Sequence, residues 1–233
     1  AKLFNAVHKA QVSWKRIHPL LNPAQEQTDA PVQQAGNLEV KHLSFGYTKG
    51  QQTLRNVSLS IDKGEMVSIV GRNGAGKSTT INIMCGQLSK DKGSVVIDGM
   101  NLDESLDLIK SELGVVFQNS VLDSALSVYD NLESRAALYG IMGEDFKTRL
   151  AELAELLDFK DLLKRAVGKL SGRQRRRIDI ARALFHRPRI LILDEPTTGL
   201  DPQTRQTLWN VISDLRKNEN MTVFLTTHYM EEA

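Results

Sequence analysis

The chain has 233 residues, which is enough for one large domain with a substantial core. Its 30 Lys and Arg residues nearly balance 28 Asp and Glu residues, so the net charge of +2 gives no reason to expect a polyanionic partner. A single cysteine excludes a disulfide framework, and no apolar run approaches the ~20 residues that span a bilayer.

Residues 1–21 have the apolar spacing of an amphipathic helix, in steps of four and three residues. Such a helix can pack on its own domain, and the start at Ala1 without Met indicates a piece of a longer protein. Residues 22–37 carry prolines, several Gln residues and hardly any large apolar side chain, which is typical of a linker. The apolar helix positions are Leu3, Val7, Ala10, Trp14, Ile17 and Leu21.

The pattern changes at Leu38 to short β segments, from which we predict a small antiparallel β subdomain. The predicted strands of this part of the chain are Leu38–Phe45, Leu54–Ile61, Met66–Val70 and Gly93–Ile97.

The most informative segment is a glycine-rich loop between the apolar strand Met66–Val70 and a helical pattern. Its sequence matches G-x-x-x-x-G-K-[ST], the P-loop, in the strand–loop–helix context that this motif requires. The glycines let backbone N–H groups surround phosphate oxygens, and the helix N-terminus adds its positive dipole end. Lys77 is placed to reach the β- and γ-phosphates, and the Ser78 hydroxyl to hold Mg²⁺. The predicted phosphate-binding residues are Gly71, Arg72, Asn73, Gly74, Ala75, Gly76, Lys77, Ser78 and Thr79.

Helical patterns dominate the middle of the chain. Residues 121–166 contain no strand signal, and Ser127 with Asp130 matches a capping box. We therefore predict a helical insert subdomain at about 119–170. The other predicted elements are helices at 103–113, 171–185 and 202–217, and apolar strands at 114–117, 190–193 and 222–225.

Four apolar runs each end on residues suited to phosphate chemistry. Continuous apolar strands interleaved with helices indicate a mainly parallel sheet flanked by helices, whose ligands bind beyond the carboxyl ends of the strands. We therefore expect the four polar ends to converge on one nucleotide. They are the glycine loop after Val70, Gln118 after Phe117, Asp194-Glu195 after Leu193, and Thr226-Thr227-His228 after Leu225.

Each of these polar ends suggests a role. Asp194 closes an aliphatic strand, as the second acidic motif of P-loop enzymes does, and is predicted to hold Mg²⁺ together with Ser78. Glu195 is then placed to polarise the attacking water. The Gln118 carbonyl can contact Mg²⁺ or that water, and His228 can donate to a γ-phosphate oxygen.

The segment Leu170–Gln174 opens a helix that Ser171 can cap. Arginines crowd its first turns, where the helix dipole disfavours cations by ~0.3–1 kcal/mol each, and a nearby anion would offset that cost. Part of the cluster is ordinary surface, because Asp179 can pair with Arg175 at i,i+4. No aromatic residues stand between these arginines, which argues against nucleic-acid binding. The arginines are Arg173, Arg175, Arg176 and Arg177.

Together these residues resemble the ABC (ATP-binding cassette) ATPases over roughly 38–233. The resemblance rests on seven motifs in family order. They are the A-loop aromatic Tyr47, Walker A (Gly71–Ser78), the Q-loop Gln118, the signature (Leu170–Gln174), Walker B (Ile190–Glu195), the D-loop (Gly199-Leu200-Asp201) and the H-switch His228.

The resemblance implies a head-to-tail dimer that holds two ATP molecules between Walker A of one subunit and the signature of the other. Tyr47 would stack on adenine, and Glu195 would be the general base. Ser171 and Gly172, with Gln174 of the same motif, would contact the partner's nucleotide, and Asp201 would communicate between sites. The helical insert and Gln118 would engage the coupling helices of membrane domains.

One departure concerns the signature, whose second glycine in the family is Arg173 here. Its large side chain lies where ATP approaches closely. This puts in question ATP hydrolysis at the site that this signature would form with Walker A of the partner subunit. In heterodimeric exporters one chain keeps the catalytic Glu while its own signature degenerates. Glu195 combined with Arg173 resembles that chain and favours a heterodimer over a homodimer.

Two branches of the family share features with this chain. Residues 1–37 resemble the tail that follows the last membrane helix of fused half-transporter exporters, although residues 167–169 lack those exporters' T-x-V-G-E-x-G loop. Other stretches resemble drug-resistance and polysaccharide-export cassettes, which are often separate subunits. We favour an excised, C-terminally truncated cassette of a fused exporter. The stretches that point to the other branch are 127–141, 175–177 and 227–233.

The function implied is ATP hydrolysis that powers export at the cytoplasmic face of the cell membrane, with transmembrane domains as partners and no nucleic acid. The alternative is a soluble ABC ATPase acting on DNA or ribosomes. Chromosome and repair ATPases carry long coiled coils between Walker A and the signature, where this chain has fewer than a hundred residues. A phosphoryl-transfer kinase is a third candidate, and the signature and His228 count against it.

Overall fold

The structure, a computed structural model, describes residues 36–48, 50–218 and 221–228. A four-stranded antiparallel sheet with the order β2-β1-β4-β5 opens this part of the chain. Strand β5 was not predicted; it returns from β4 through Asp98 and Gly99, whose φ values of 49° and 78° suit a two-residue hairpin turn. The strands are β1 (Leu38–Phe45), β2 (Leu54–Ile61), β4 (Lys92–Ile97) and β5 (Met100–Asn101).

The second sheet is parallel and has the order β3-β8-β7-β6. Strands β7 and β8 are buried along their whole length, as their continuous apolar sequences predict. Burial on both faces is wrong for β3, which exposes Met66 and Val70. The strands are β3 (Met66–Val70), β6 (Leu113–Val116), β7 (Ile190–Asp194) and β8 (Thr222–Thr227).

Helices connect the strands and build the insert. The predicted capping box at Ser127 is present: its hydroxyl accepts from Asp130 N at 3.1 Å, and the Asp130 carboxylate accepts from Ser127 N at 3.3 Å. Pro202 begins the last helix, at the position where a missing N–H costs nothing. The helices are α1 (Lys77–Met84), α2 (Leu106–Glu112), α3 (Val128–Ala137), α4 (Gly143–Leu156), α5 (Gly172–Leu184) and α6 (Pro202–Asn218), with 3₁₀ turns at Lys160–Leu162 and Val167–Lys169.

Strand β7 separates two hydrophobic clusters because successive side chains of a strand point to opposite faces. Ile190 and Ile192 pack with the antiparallel sheet and α1. Leu191 and Leu193 pack with α5, α6 and the helices of the insert. The two hydrophobic clusters therefore pack on opposite faces of the parallel sheet. The edge formed by the carboxyl ends of its strands lies between these two clusters. This arrangement confirms the predicted α/β fold with an antiparallel β part and a helical insert.

Cys85, the sole cysteine of the chain, lies in the core at the end of α1, as predicted. Burial and the nearby Asp194 carboxylate raise its pKa to about 12. Its thiolate population near pH 8 is then about a thousandfold below that of a thiol with the reference pKa. We expect a chromogenic disulfide reagent to leave the native chain unlabelled and to label it fully in denaturant. Rapid stoichiometric labelling of the folded chain would contradict this placement.

The amphipathic helix predicted at 1–21 and nearly all of the 22–37 linker lie outside the described residues, as does the end of the chain after His228. Within the described ranges, no helix combines the length and the apolar character that a bilayer span requires.

Candidate active site

The carboxyl ends of the parallel strands meet at one edge of the sheet. Val70 pairs with Thr227, and Asp194 pairs with Thr226. Val116 at the end of β6 lies beside Leu193. The structure thus brings together the glycine loop, Gln118, the two acids at the end of β7 and the segment that ends β8, as the sequence predicted.

The glycine loop turns through residues with positive φ. Gly74 and Gly76 have φ values of 81° and 89°, which favour glycine. A Cβ on Gly76 would also lie 2.6 Å from Leu54 Cδ2, so a larger residue there would have to displace the Leu54 side chain. Residues 72–75 are exposed, so the loop is open to a ligand, although Ala75 N donates to Arg72 O at 3.2 Å.

Lys77 is buried at the base of this loop. Its Nζ donates to Gly71 O at 2.6 Å and to Arg72 O at 3.2 Å, and it lies 3.3 Å from Glu195 Oε1. The ammonium group is therefore held at the mouth of the loop by two carbonyls and one carboxylate, where phosphate oxygens can exchange with them.

Glu195 is 7% exposed and lies at the centre of the cluster. Its φ is 46°, an uncommon value for a non-glycine residue, and its N–H donates to Thr226 O and Oγ1, each at 3.1 Å. The carboxylate oxygen Oε2 accepts from Gln118 Nε2 at 3.2 Å and from Thr198 Oγ1 at 3.3 Å. His228 Nδ1 lies 3.6 Å from the same oxygen. Glu195 is fixed by several contacts at once.

Asp194 lies beside the start of α1. Its Oδ1 accepts from Ser78 Oγ at 3.2 Å and from Thr226 Oγ1 at 2.6 Å. The contact of Thr226 was not predicted, although its position directly after the apolar run that ends at Leu225 was a signal for it. A hydroxyl beside a carboxylate suits Mg²⁺, which keeps several waters and needs only one or two protein oxygens. The part of the chain that the structure describes has no cluster of three or more His, Cys, Asp or Glu residues that could hold a metal.

Tyr47 lies near the same helix start. Its hydroxyl shares a 3.2 Å hydrogen bond with Thr79 Oγ1, and Phe45 supports its ring edge-to-face at 4.9 Å between centroids. The Tyr47 residue is nevertheless 64% exposed. Its ring can therefore accept a planar group next to the glycine loop.

The signature residues form an exposed helix tip. Ser171 Oγ accepts from Gln174 N at 3.2 Å, as expected of the predicted N-cap, and Gln174 Oε1 accepts from Ser171 N at 3.0 Å. The second hydrogen bond, which was not predicted, completes a capping box. A Cβ on Gly172 would meet no atom within 4 Å. In the described residues, no hydrogen bond joins this tip to Lys77 or Glu195.

Asp201 stabilises the start of α6. Its carboxylate accepts from Thr204 N at 3.0 Å and from Thr204 Oγ1 at 2.5 Å. These hydrogen bonds, with a smaller contribution from the Arg173 charge, lower the pKa of Asp201. Asp201 and Arg173 are both exposed, and in the described residues no hydrogen bond joins the Asp201 carboxylate to Lys77 or Glu195.

Arg176 and Arg177, two of the four arginines in the first turns of α5, have hydrogen-bond partners within the chain, so these two need no external anion. Arg177 Nη1 donates to Asp158 O at 2.7 Å and Oδ2 at 2.8 Å. Arg176 is buried and donates to three backbone carbonyls. The predicted Arg175–Asp179 pair is wrong. Asp179 instead turns inward and accepts from Ser120 Oγ at 2.9 Å, and burial raises its pKa.

Comparison with known proteins gives a consistent result. The family model described as ABC transporter matches residues 54–198. The linearmycin resistance ATP-binding protein LnrL of Bacillus subtilis (strain 168) is 35% identical over 195 residues, which is 84% of this chain and 62% of LnrL. The energy-coupling factor transporter ATP-binding protein EcfA1 of Streptococcus pneumoniae (strain D39) is 38% identical over 201 residues, which is 84% of this chain and 72% of EcfA1. The chain thus spans less than two thirds of LnrL.

A solved structure supports the same comparison at the level of the fold. The dimeric post-hydrolysis state of the ATP-binding cassette MJ0796, bound to ADP and Pi, superposes with a TM-score of 0.77 at 30% identity. The match covers 83% of this chain and 89% of that one.

Proposed function

This chain belongs to the ABC transporter ATPases, which bind ATP and hydrolyse it to ADP and phosphate to drive transport, and we propose how its residues divide that work. The observation that carries the proposal is the cluster at the carboxyl edge of the parallel sheet. There one buried cation, Lys77, and two buried acids, Asp194 and Glu195, lie beside an exposed glycine loop. We assign Gly71–Thr79 to the triphosphate, with Lys77 exchanging its carbonyl partners for the β- and γ-phosphate oxygens.

Asp194 and Ser78 would hold Mg²⁺, which neutralises charge on the phosphates when bound. The 3.2 Å contact between their oxygens supports this assignment. Gln118 is a further candidate ligand, through the carbonyl oxygen of its amide. Its Nε2 donates to Glu195, so that oxygen remains available to a cation or to a water.

Glu195 is the proposed general base that accepts a proton from the attacking water. Gln118 and Thr198 donate to one of its oxygens, which orients the carboxylate toward the loop. His228, 3.6 Å from that oxygen, is proposed to contact the γ-phosphate and so to respond to its presence. Tyr47 is proposed to stack on the adenine ring.

The signature tip supports a dimeric mechanism. Ser171, Gly172 and Gln174 form no hydrogen bond to the glycine-loop cluster of their own chain in the described part, and the tip is exposed. We propose that they contact the nucleotide of a second ABC ATPase domain, with Asp201 communicating between the two sites. The relative MJ0796 is itself dimeric with nucleotide bound.

Arg173 bears on the identity of that second domain, and we propose a non-identical partner. Its side chain is exposed at the signature tip and lies close enough to Asp201 for their charges to interact. A glycine there would leave the backbone open to a phosphate, whereas an arginine covers it. A homodimer of this chain that hydrolyses ATP rapidly by itself would contradict the heterodimer proposal.

Arg173→Gly tests this departure. If the side chain obstructs the composite site, the substitution should raise turnover in the assembled transporter by about tenfold, which corresponds to ~1.4 kcal/mol in the barrier. Turnover is measured by phosphate release at saturating ATP. Arg205→Gly is an unsuitable control because Arg205 lies within α6. Arg173→Lys is the control instead, and it should leave turnover low. Equal rates for the parent, Gly and Lys variants would show that Arg173 is incidental.

Family membership gives ATP-driven transport, and the proposal adds where the membrane domains are contacted and the direction of transport. We propose that 38–233 is the cassette, that 119–170 contacts transmembrane domains at the cytoplasmic face of the membrane, and that 1–37 is the tail of a membrane helix and its linker. Exposed apolar side chains on and beside the insert support the contact: Val121, Leu126, Leu138 and Met142. Export is the favoured direction, with a soluble ATPase acting on DNA or ribosomes as the alternative.

The decisive experiment measures Mg²⁺-dependent ATP hydrolysis by the chain with its full-length flanking sequence, in lipid vesicles and in solution. Stimulation by a transported compound in vesicles would support the transporter role. Stimulation by DNA or ribosomes, with none in vesicles, would support the alternative. Absence of nucleotide binding in every condition would overturn the assignment of the glycine loop.

A further inference from the structure

Helix α5 sends two buried side chains, Arg176 and Asp179, from one of its faces to the segments that carry Gln118 and Glu195. The two residues are 9% and 6% exposed and lie three positions apart, so their side chains leave the helix side by side. Neither residue contacts the glycine loop in the hydrogen bonds that the structure gives for them. Their contacts are to residues that flank the proposed catalytic groups.

The Arg176 guanidinium joins the ends of two strands. Its Nη1 donates to Phe117 O at 2.6 Å, directly before Gln118 at the end of β6. Its Nη2 donates to Asp194 O at 3.1 Å and its Nε to Pro196 O at 3.0 Å, on either side of Glu195. A planar fork of fixed N–H directions can satisfy three separate carbonyls, which the single nitrogen of lysine cannot do with the same geometry.

Asp179 contacts the same loop on the other side of Gln118 in sequence. Its Oδ1 accepts from Ser120 Oγ at 2.9 Å, two residues after Gln118. Gln118 is therefore bracketed by two contacts to α5, at Phe117 and at Ser120. Its side chain then donates to Glu195 at 3.2 Å, so the same helix determines where both partners of that hydrogen bond lie.

We propose that Arg176 is a positioning residue that couples the tip of α5 to the Gln118–Glu195 pair. This inference rests on the proposed function, in which Ser171 and Gly172 at that tip contact the nucleotide bound by the partner subunit. A displacement of α5 on nucleotide binding there is passed by the guanidinium to the carbonyls of Phe117 and Pro196. Glu195 and Gln118, beside this chain's own nucleotide, thereby respond to whether the nucleotide site of the partner subunit is occupied.

The test replaces Arg176 by Gln and by Lys and compares nucleotide affinity, ATP-dependent dimer formation and turnover. Misplacing a catalytic group by ~1 Å can cost up to about a hundredfold in rate, so we expect kcat of Arg176→Gln to fall by tenfold or more. The affinity for ATP with Mg²⁺ should change less than about threefold, because the glycine loop is untouched. Lys, which keeps the charge and one donor, should restore part of kcat.

Arg177→Gln is the matched control, because Arg177 is the next residue of the helix and donates only to Asp158 in the hydrogen bonds described. It should keep parental turnover. Ser120→Ala is a milder second test, which removes the hydroxyl contacts to Asp179 and to Leu122 N and should lower kcat severalfold at unchanged affinity. Melting temperatures of all variants report on folding.

The outcomes separate this inference from the proposed function. If the parent chain retains ATP and hydrolyses it, but Arg176→Gln and Ser120→Ala match it in kcat, the coupling is wrong and the function stands. The coupling is also wrong if nucleotide affinity, dimer formation and kcat all fall together with the melting temperature, and Lys restores none of them. If the parent itself binds no nucleotide, the proposed function has failed.

Discussion

Replacing Glu195 by glutamine is expected to lower the rate of ATP hydrolysis by about two to four orders of magnitude while nucleotide binding persists. Glutamine keeps the size of the side chain and can accept from Gln118 and Thr198, but it cannot take a proton from water. Lys77 lies 3.3 Å from the Glu195 carboxylate, so the substitution also leaves that ammonium free to pair with phosphate. The variant should therefore accumulate in the ATP-bound dimeric state.

Size-exclusion chromatography with ATP and Mg²⁺, together with phosphate release, measures both effects. If the partner is a different chain, the dimer must be assembled with that chain. Glu155→Gln, at an exposed position of α4, is the matched control and should behave like the parent. A Glu195→Gln variant that elutes only as a monomer with ATP would count against the sandwich dimer, and one with parental turnover would remove Glu195 as the base.

Much of the fold follows from local patterns in the sequence. The continuous apolar runs of β7 and β8 predicted buried parallel strands, and their polar ends predicted a shared edge. The structure adds the pairing of Asp194 with Thr226, which places Thr226 Oγ1 on the Asp194 carboxylate. Residues that act where a strand ends are predictable in this way, because sheet geometry determines where strand ends lie.

Side chains that reach across the fold were harder to predict. Arg176 belonged to a run of arginines that local reasoning treated as one charged cluster, yet its partners are carbonyls 18 to 59 residues away in sequence. The predicted Arg175–Asp179 pair assumed that residues four positions apart on a helix pair with each other. In the structure Asp179 lies on a buried face of the helix, and its carboxylate accepts from Ser120 Oγ instead. The strand order and the exposure of β3 were likewise not predictable locally, because which elements cover a strand depends on contacts that are distant in sequence.

Replacing Lys77 by alanine is expected to remove most of the capacity to retain nucleotide. Hydrogen bonds to charged groups contribute roughly 1.5–3 kcal/mol, so losing the ammonium should weaken ATP binding by about 10- to 100-fold and reduce hydrolysis further. The substitution also leaves Glu195 without the cation that lies 3.3 Å away, and that carboxylate then repels the incoming triphosphate. Both effects act in the same direction on nucleotide affinity.

Retention of labelled ATP with Mg²⁺ checks this result, and the melting temperature distinguishes it from unfolding. Lys110→Ala is the control, because Lys110 is exposed in α2 and outside the cluster. Lys77→Met, which fills more of the space without a charge, should be as defective as the alanine variant if the ammonium matters rather than the packing. A folded Lys77→Ala variant that retains ATP as well as the parent would contradict the assignment of the Lys77 ammonium to the β- and γ-phosphate oxygens.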